Sequence, residues 1–178
     1  MSGSHFGGWR ADNDPFLSKA RIAKSAKISL LFRVFGDPQN LTIGEHARID
    51  DFTVFVCTGL ITIGDGCHVA SFVKINGEGS VDVRAGAQIS SGVQIYSASD
   101  DLVRRSANGR GRAKVSGPIV IGSGAIIGAN CVVLPGADIG VGATVAALSV
   151  VGAGRTQAWM LSGGIPAKAI KDRIVANG

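Results

Sequence analysis

Apolar residues recur every six positions between Ile121 and Thr156. Cut into hexads, this stretch reads IGSGAI, IGANCV, VLPGAD, IGVGAT, VAALSV and VGAGRT. Each hexad begins with Ile or Val, and its fifth residue is small until Arg155 interrupts the pattern in the last one. A six-residue period fits neither an α-helix nor an isolated strand. It predicts short strands joined by tight corners, three to a coil, that stack into a solenoid.

The same hexads occur upstream within a longer repeat of 20 residues. LTIGE at 41–45, ITIGD at 61–65 and VDVRA at 81–85 stand in register, because every third step is eight residues instead of six. This spacing predicts coils of three strands with a two-residue bulge at one corner. The run GDPQN at 36–40 has turn chemistry and marks the beginning of the repeat.

The period fails between Ile95 and Ile121, where YSASDDLVRRSANGRGRAKVSGP occupies residues 96–118. A solenoid that loses its repeat and then recovers it has extruded a loop. Unstructured loops of this length are usually functional or disordered. Two interpretations stay open: a solvated excursion, or a flap over a binding site on a neighbouring subunit.

Both ends of the chain lack the repeat. We predict a flexible tail within residues 1–26 that has room for a short helix after Pro15, a solenoid domain over 27–156, and a C-terminal loop and helix over 157–178. The first twenty residues contain no apolar run typical of a signal peptide. No stretch approaches the roughly 18 apolar residues of a membrane span. We therefore expect a cytoplasmic protein of one domain.

Composition agrees with a narrow coil. Of 178 residues, 26 are Gly and only 6% are aromatic, as expected where Ile, Val and Ala fill the interior. Cys67 and Cys131 occupy inward hexad positions, which favours a structural role, whereas Cys57 lies near a corner. The formal charge of +5 favours anionic partners, which include phosphates as well as nucleic acid.

Three features resemble the hexapeptide-repeat acyltransferases: the Ile/Val-Gly hexads, IGANCVVLPGADIG at 127–140 and GGIPAKAIKDR at 163–173. The similarity points to the galactoside and maltose acetyltransferase branch and to sugar acetyltransferases of polysaccharide biosynthesis, over residues 41–175. It implies a left-handed parallel β-helix, an exception to the usual right-handed crossover. It also implies a homotrimer that binds acetyl-CoA between subunits and acetylates a hydroxyl or amino group of a sugar or nucleotide-sugar.

The sequence supports a trimer independently. Sixth hexad positions point away from the axis, and they include Ile126, Val132 and Val150. Such residues are too apolar for solvent on three faces, so we expect part of this surface at a subunit interface or a cofactor groove. The alternative is a set of isolated exposed hydrophobic residues.

By resemblance, the pantetheine arm of acetyl-CoA lies along the backbone of the later coils, near Ala129, Ala146 and Ala147. The CoA phosphates need cations. The cationic candidates near the C-terminus are Arg155, Lys168, Lys171 and Arg173. Pro166 is able to open a helix whose N-terminus lies among the lysines. The alternative is plain solvation of a charged terminal helix.

The catalytic position departs from the family pattern. Where the galactoside and maltose branch has a run like Ile-Tyr-Thr-Ala-Thr-His, this chain has Ile-Tyr-Ser-Ala-Ser-Asp, which ends at Asp100. A general base works best with a pKa near the working pH. An ordinary Asp, at about 3.9, is roughly three units too acidic, whereas an ordinary His, at about 6.5, is suitable.

Of the three histidines, His5 lies in the tail, His46 at a corner and His68 at an outward position. We hypothesise that His68 is the general base and that Asp100 or Asp101 of an adjacent subunit orients its imidazole or holds the acceptor. The alternative is an ordinary outward His, in which case an amino-sugar acceptor is favoured because a neutral amine attacks without a base. The loop residues expected at the acceptor are Tyr96, Ser97, Arg104 and Arg105.

Three rival functions stay open. A γ-carbonic anhydrase shares this fold but needs three histidines around zinc, and His46 and His68 have no third partner, so we expect no metal. A non-catalytic scaffold, or a chemically inactive homologue, would explain the missing loop histidine. Nucleic-acid binding rests on an Arg-rich loop with few aromatic residues for stacking, so phosphates of CoA or a nucleotide-sugar match better.

Overall fold

The structure is a computed structural model that describes residues 16–105 and 112–173. Within these ranges, the helical segments are two short 3-10 turns, Leu17–Lys19 and Pro38–Asn40. The remaining regular structure consists of short strands, as the hexads predict.

The strands follow one another in triplets, and each triplet makes one coil. The first four coils contain β1 (Arg21–Ile22), β2 (Lys27–Ile28), β3 (Arg33–Gly36), β4 (Leu41–Ile43), β5 (Arg48–Ile49), β6 (Val54–Cys57), β7 (Ile61–Ile63), β8 (His68–Val69), β9 (Lys74–Asn76), β10 (Val81–Val83), β11 (Gln88–Ile89) and β12 (Gln94–Tyr96). Two hairpin strands follow, β13 (Ala98–Arg105) and β14 (Arg112–Ser116). The later coils and the C-terminal end contain β15 (Ile119–Ile121), β16 (Ile126–Ile127), β17 (Val132–Val133), β18 (Ala137–Ile139), β19 (Thr144–Val145), β20 (Val150–Val151), β21 (Gly154–Arg155), β22 (Met160–Gly164) and β23 (Ala167–Asp172).

Corresponding strands of successive coils pair in parallel and form three faces around one axis. The first face has the order β1-β4-β7-β10-β15-β18-β21, the second β2-β5-β8-β11-β16-β19-β22-β23, and the third β3-β6-β9-β12-β17-β20. The 20-residue repeat is visible in the register, because Ile61 pairs with Leu41 on one side and with Val81 on the other. The predicted all-β, left-handed parallel β-helix is confirmed.

The core is a single column of side chains along the axis. Inward residues such as Ile63, Ile89, Ala125, Ile127 and Cys131 are at most 1% exposed. Full burial of one Ile or Val side chain contributes roughly 1.5–3 kcal/mol, so the stacked first positions of the hexads supply most of the apolar stabilisation.

The three cysteines are free thiols and all are buried. Burial, with a smaller contribution from Asp37, raises the pKa of the Cys57 thiol to about 11. Burial also raises the pKa of the Cys67 and Cys131 thiols. Thiols with raised pKa values stay protonated and unreactive at neutral pH, which agrees with the structural role predicted from the hexads.

The Ile-Gly pair that opens many hexads reflects the close stacking of coils. A Cβ atom placed on Gly122 would lie 2.6 Å from the backbone nitrogen of Val141 in the next coil. Only glycine leaves room for that backbone, so the second hexad position is restricted where the corner is tight.

The short helix that the sequence allows after Pro15 is present only as one 3-10 turn. A single 3-10 turn at Leu17–Lys19 leads at once into β1, which pairs with β4. β1 belongs to the first coil, and Leu17 packs into the core at 7% exposure. Tertiary pairing therefore overrides local helix propensity. Of the tail predicted within residues 1–26, residues 1–15 lie outside the described residues.

The predicted C-terminal helix is wrong. β22 continues the second face beside β19, and β23 turns back to pair with it antiparallel. A helix here would leave the edge of the last coil unpaired, and unpaired strand edges are a liability. Gly164, at φ +99°, and Pro166 supply the turn between the two strands.

The extruded loop predicted over residues 96–118 is present, and its described parts form two paired strands. β13 and β14 pair antiparallel, with Ala98 opposite Ser116 and Asp100 opposite Lys114. Residues 106–111 lie outside the described residues. The solenoid resumes directly afterwards, because β15 pairs with β10 across the insertion.

Candidate active site

His68 lies on the outer side of β8, because the next residue, Val69, points into the core. Its Nε2 atom is 2.8 Å from Oδ2 of Asp50 in the preceding coil. An ionised carboxylate only accepts hydrogen bonds, so Nε2 carries the proton and donates it in this contact. The other ring nitrogen, Nδ1, then has the unshared electron pair that a base requires.

Asp50 is held from two sides. Its Oδ1 accepts a hydrogen bond of 2.7 Å from Nε of Arg48, while Oδ2 faces His68. The Asp50 side chain is only 16% exposed, against 48% for Arg48 and 34% for His68. The three side chains form a row of polar contacts on the outer side of the second face.

Sequence reasoning missed Asp50. The register pairs Arg48 with His68 one coil apart, and Asp50 lies two positions beyond Arg48 on the same outward side. Asp50 and His68 are therefore 18 residues apart, which is the 20-residue coil repeat minus the two residues between neighbouring outward positions. This spacing is present in the sequence and identifies diagonal neighbours on any face.

An open concavity of about 240 Å³ lies beside His68 on the second face. Its lining residues are His68, Ala70, Gln88, Ile89, Ser90 and Ser91. Gln88 is the register partner of His68 in the following coil. The concavity therefore combines an imidazole with amide and hydroxyl groups, a lining suited to a polar acceptor.

Asp100 and Asp101 lie on the hairpin strand β13, and within one chain His68 pairs with Asp50 instead. The Asp101 carboxylate accepts backbone hydrogen bonds from Arg104 and Val103, and these two N–H groups lower the pKa of the Asp101 carboxyl. Arg104 Nε is 4.0 Å from Asp101 Oδ2, and its side chain is 85% exposed. Arg105 ends β13.

Two predicted acceptor contacts, Tyr96 and Ser97, sit where the hairpin leaves the third face. The ammonium nitrogen of Lys74 is 5.6 Å from the Tyr96 ring centroid, and the Tyr96 hydroxyl donates to Gln94 Oε1. Ser97 is fully buried, and its hydroxyl donates to Asn76 O and accepts from the backbone N–H of Gly79. Ser97 therefore anchors the base of the hairpin, and its hydroxyl is already used within the chain.

One ion pair ties the hairpin to the solenoid. Lys114 Nζ on β14 is 2.7 Å from Glu78 Oε1. This hydrogen bond and the charge of Glu78 raise the pKa of the Lys114 ammonium. The pair is partly exposed, so its contribution to stability is small.

The three candidate pantetheine contacts lie at one corner of the prism. Ala129 and Ala147 belong to stacked turns of adjacent coils, since Leu148 N–H donates to Ala129 O over 2.9 Å. Ala146 N–H donates to Ser162 O of β22 over 2.8 Å. The structure thus brings these alanines together, with Ala147 exposed and the other two half-buried.

The four candidate phosphate ligands differ in their surroundings. Arg155 is 74% exposed, with its Nε 3.6 Å from Asp138 Oδ2. Lys168 and Lys171 are exposed on β23. Arg173 instead donates to Gly142 O and lies with its guanidinium carbon 5.8 Å from the Trp159 ring centroid. Arg173 is therefore partly committed to closing the end of the solenoid.

Within residues 16–105 and 112–173, no three His, Cys, Asp or Glu side chains are grouped closely enough to hold a metal ion. None of the helices in the same ranges has the length and apolar character needed to cross a membrane.

Known proteins with the same solenoid define the class. Over 161 residues, the chain is 37% identical to the dTDP-4-amino-4,6-dideoxy-D-glucose acyltransferase of Escherichia coli, covering 85% of this chain and 81% of that protein. The chain therefore belongs to the hexapeptide-repeat acyltransferases, which use CoA-bound acyl donors. No protein-family model matches it.

Solved structures agree. AntD, an N-acyltransferase from Bacillus cereus in complex with dTDP and 3-hydroxybutyryl-CoA, superposes with a TM-score of 0.85 at 26% identity, over 95% of this chain and 92% of that one. A variant of AntD with dTDP-4-amino-4,6-dideoxyglucose and coenzyme A gives a TM-score of 0.86, over 96% and 93%. A hexapeptide transferase family protein from Anaplasma phagocytophilum, at 20% identity and TM-score 0.70 over 87% and 80%, shares the fold.

Proposed function

We propose that this acyltransferase moves a short acyl group, acetyl in the first instance, from acyl-CoA to the amino group of a dTDP-linked amino sugar. The observation that carries the proposal is the 37% identity to an acyltransferase named for a dTDP-amino sugar, over most of both chains. The AntD complex that holds such a sugar together with coenzyme A supports the same acceptor. The 3-hydroxybutyryl-CoA complex of AntD makes a slightly longer acyl group the second donor to test.

A neutral amine attacks without a base, but its nitrogen must lose a proton once the C–N bond forms, and a base near the acceptor speeds that loss. The amine nitrogen attacks the thioester carbonyl, so that a C–N bond forms and the C–S bond breaks. The nitrogen loses one proton and the departing sulfur of CoA gains one. In our proposal Nδ1 of His68 takes the proton from the nitrogen and returns it to the sulfur.

The pantetheine arm is proposed to follow the corner formed by Ala129, Ala146 and Ala147, whose small side chains let a ligand approach the backbone. Lys168, Lys171 and Arg155 are the proposed partners of the CoA phosphates, since all three are exposed near that end of the solenoid. A phosphate gains charge-assisted hydrogen bonds from each cation it reaches.

We further propose a homotrimer in which the acceptor lies between subunits. The outward residues Ile126, Val132 and Val150 are only half-buried within one chain, and partial exposure of such side chains favours a contact with a second copy. In that arrangement Asp100 or Asp101 on the projecting hairpin holds the acceptor beside the neighbour's His68. Tyr96, Arg104 and Arg105 come from the same hairpin region.

Mixed trimers test whether the site is shared. One chain carries His68→Asn, and the other carries Asp100→Asn with Asp101→Asn; each homotrimer is expected to be nearly inactive. Random mixing leaves about one interface in four with both wild-type elements, so mixtures should recover about a quarter of wild-type activity. No recovery, with trimers verified by light scattering, would place both elements in one subunit.

A thiol-release assay tests the function itself. Purified protein with acetyl-CoA should release free CoA when given dTDP-4-amino-4,6-dideoxyglucose. The matched dTDP sugar with a hydroxyl at the same carbon should give at most a small fraction of that rate. Equal rates on both would overturn the amine preference, and no release with either sugar or with 3-hydroxybutyryl-CoA would favour the non-catalytic scaffold.

A further inference from the structure

His68, which lines the concavity, forms a hydrogen bond of 2.8 Å with Asp50. The hexapeptide repeat does not require this contact. We propose that Asp50 is a positioning residue, which holds His68 as the Nε2–H tautomer with Nδ1 directed to the acceptor amine. This proposal rests on the function proposed above, because it presumes that His68 receives the proton.

The geometry fixes the tautomer. Asp50 Oδ2 is 2.8 Å from His68 Nε2, and an ionised carboxylate has no proton to donate, so Nε2 must donate. A ring whose Nε2 is protonated and bonded has its basic electron pair on Nδ1. The same hydrogen bond sets the orientation of the ring. Asp50 Oδ1 already accepts from Arg48, so Oδ2 is the oxygen that faces the imidazole.

Arg48 keeps Asp50 in place. Its Nε donates to Asp50 Oδ1 over 2.7 Å, and this contact keeps the carboxylate from turning away from His68. The groove between coils buries the Asp50 side chain to 16% exposure. A rigid, shielded carboxylate is what an orienting residue needs.

The neighbours of His68 along the second face differ between the preceding and the following coil. The preceding coil supplies Arg48 and Asp50 from β5, and Lys27 lies one coil further as the register partner of Arg48. The following coil supplies neutral Gln88 from β11. Asp50 is diagonal to His68 and contacts its Nε2 atom, so removal of this carboxylate should change the tautomer of the imidazole.

The concavity is where the acceptor amine would give its proton to His68 in this proposal. His68 shares its lining with Gln88, Ser90 and Ser91, so amide and hydroxyl groups are available to hold an amino sugar. Asp50 is absent from that lining and acts through the imidazole alone.

Asp50→Asn is the principal test, because it keeps the shape and lets the amide donate to the ring. We expect kcat to fall roughly tenfold to a hundredfold, with KM for acyl-CoA within about twofold, because the ring loses the carboxylate that holds its Nε2–H.

Asp82→Asn is the matched control. Asp82 Oδ2 accepts from Arg84 Nε over 3.2 Å, two residues apart as in the Arg48–Asp50 pair, but on the first face. This variant should keep kcat within about twofold. A kcat of Asp50→Asn within threefold of wild type would overturn the proposal.

A measurement on the wild type needs no variant. Nitrogen-15 NMR of the imidazole should show His68 protonated at Nε2 and unprotonated at Nδ1 when neutral, and the opposite tautomer would overturn the proposal even if Asp50→Asn fails to fold. If the wild type transfers no acyl group to any dTDP-amino sugar while this tautomer is observed, the proposed function fails but the Asp50 contact stands.

Discussion

The indole of Trp159 lies directly over Gly142. A Cβ atom placed on Gly142 would be 2.6 Å from ring atoms Cδ2 and Cε3 of Trp159. Arg173 contacts both residues: its guanidinium donates to the Gly142 carbonyl, and its guanidinium carbon is 5.8 Å from the Trp159 ring centroid. Gly142, Trp159 and Arg173 therefore pack together at the last coil, and we call this group the cap. Arg173 is used in the cap, which leaves it less available to a phosphate.

Gly142→Ala should destabilise the protein by about 2–4 kcal/mol, because φ is +62° and the new Cβ collides with Trp159. Gly124→Ala is the control: its φ is +64°, but no atom lies within 4 Å of the added Cβ. It should cost about 1 kcal/mol from backbone strain alone. Urea unfolding measures both, and equal losses would contradict the packing of Trp159 on Gly142.

The candidate phosphate ligands should separate into two groups. Lys168→Ala and Lys171→Ala should each raise KM for acyl-CoA about threefold to tenfold, with little change in melting temperature, because exposed lysines contact phosphate as point charges. Arg173→Ala should instead lower the melting temperature by several degrees through loss of the cap. A large stability loss for either lysine variant, or none for Arg173, would reverse this division.

Much of the fold was predictable because the position of a residue within its own hexad decides whether its side chain is buried. The Ile at the first hexad position and the small residue at the fifth both point inward. The buried positions in the structure therefore recur with the period that is visible in the sequence. The C-terminal segment was not predictable in this way. Its PAKAIKDR run suits a helix locally, and only the unpaired edge of the last coil selects β23.

The candidate site was predictable in part for a similar reason. His68 could be singled out as an outward histidine, but its partner Asp50 lies in another coil and two positions out of register. A separation of 18 residues between outward positions reveals such a pair. The motifs of the family instead point to the hairpin. The buried hydroxyl of Ser97 shows the same limit, because hydrogen bonds to Asn76 and Gly79 come from the neighbouring coil.

His68→Asn should lower acyl transfer by about a hundredfold, since proton transfer by a positioned base is worth at least that factor. His46→Asn is the control. His46 lies at an exposed corner with φ of 57°, a conformation that Asn tolerates, so rates should stay within twofold. Activity of His68→Asn within threefold of wild type would remove His68 from the mechanism.

Stability should decline at alkaline pH through Cys57. Its pKa is about 11 in the folded protein against 9.0 for an ordinary thiol. Both states hold the proton below pH 9, so the contribution is complete there; above it the unfolded thiol ionises first and folding is disfavoured. Between pH 8 and 10.5, the urea midpoint of wild type should fall more than that of Cys57→Ala. Parallel curves would contradict the assigned burial.

Product analysis tests the central claim most directly. After incubation with acetyl-CoA and dTDP-4-amino-4,6-dideoxyglucose, mass spectrometry should show a sugar nucleotide heavier by one acetyl group. That mass should survive mild alkaline hydroxylamine, because amides resist the reagent and esters are cleaved by it. An acetylated product that hydroxylamine removes, or no acetylated sugar nucleotide at all, would contradict acyl transfer to the amino group.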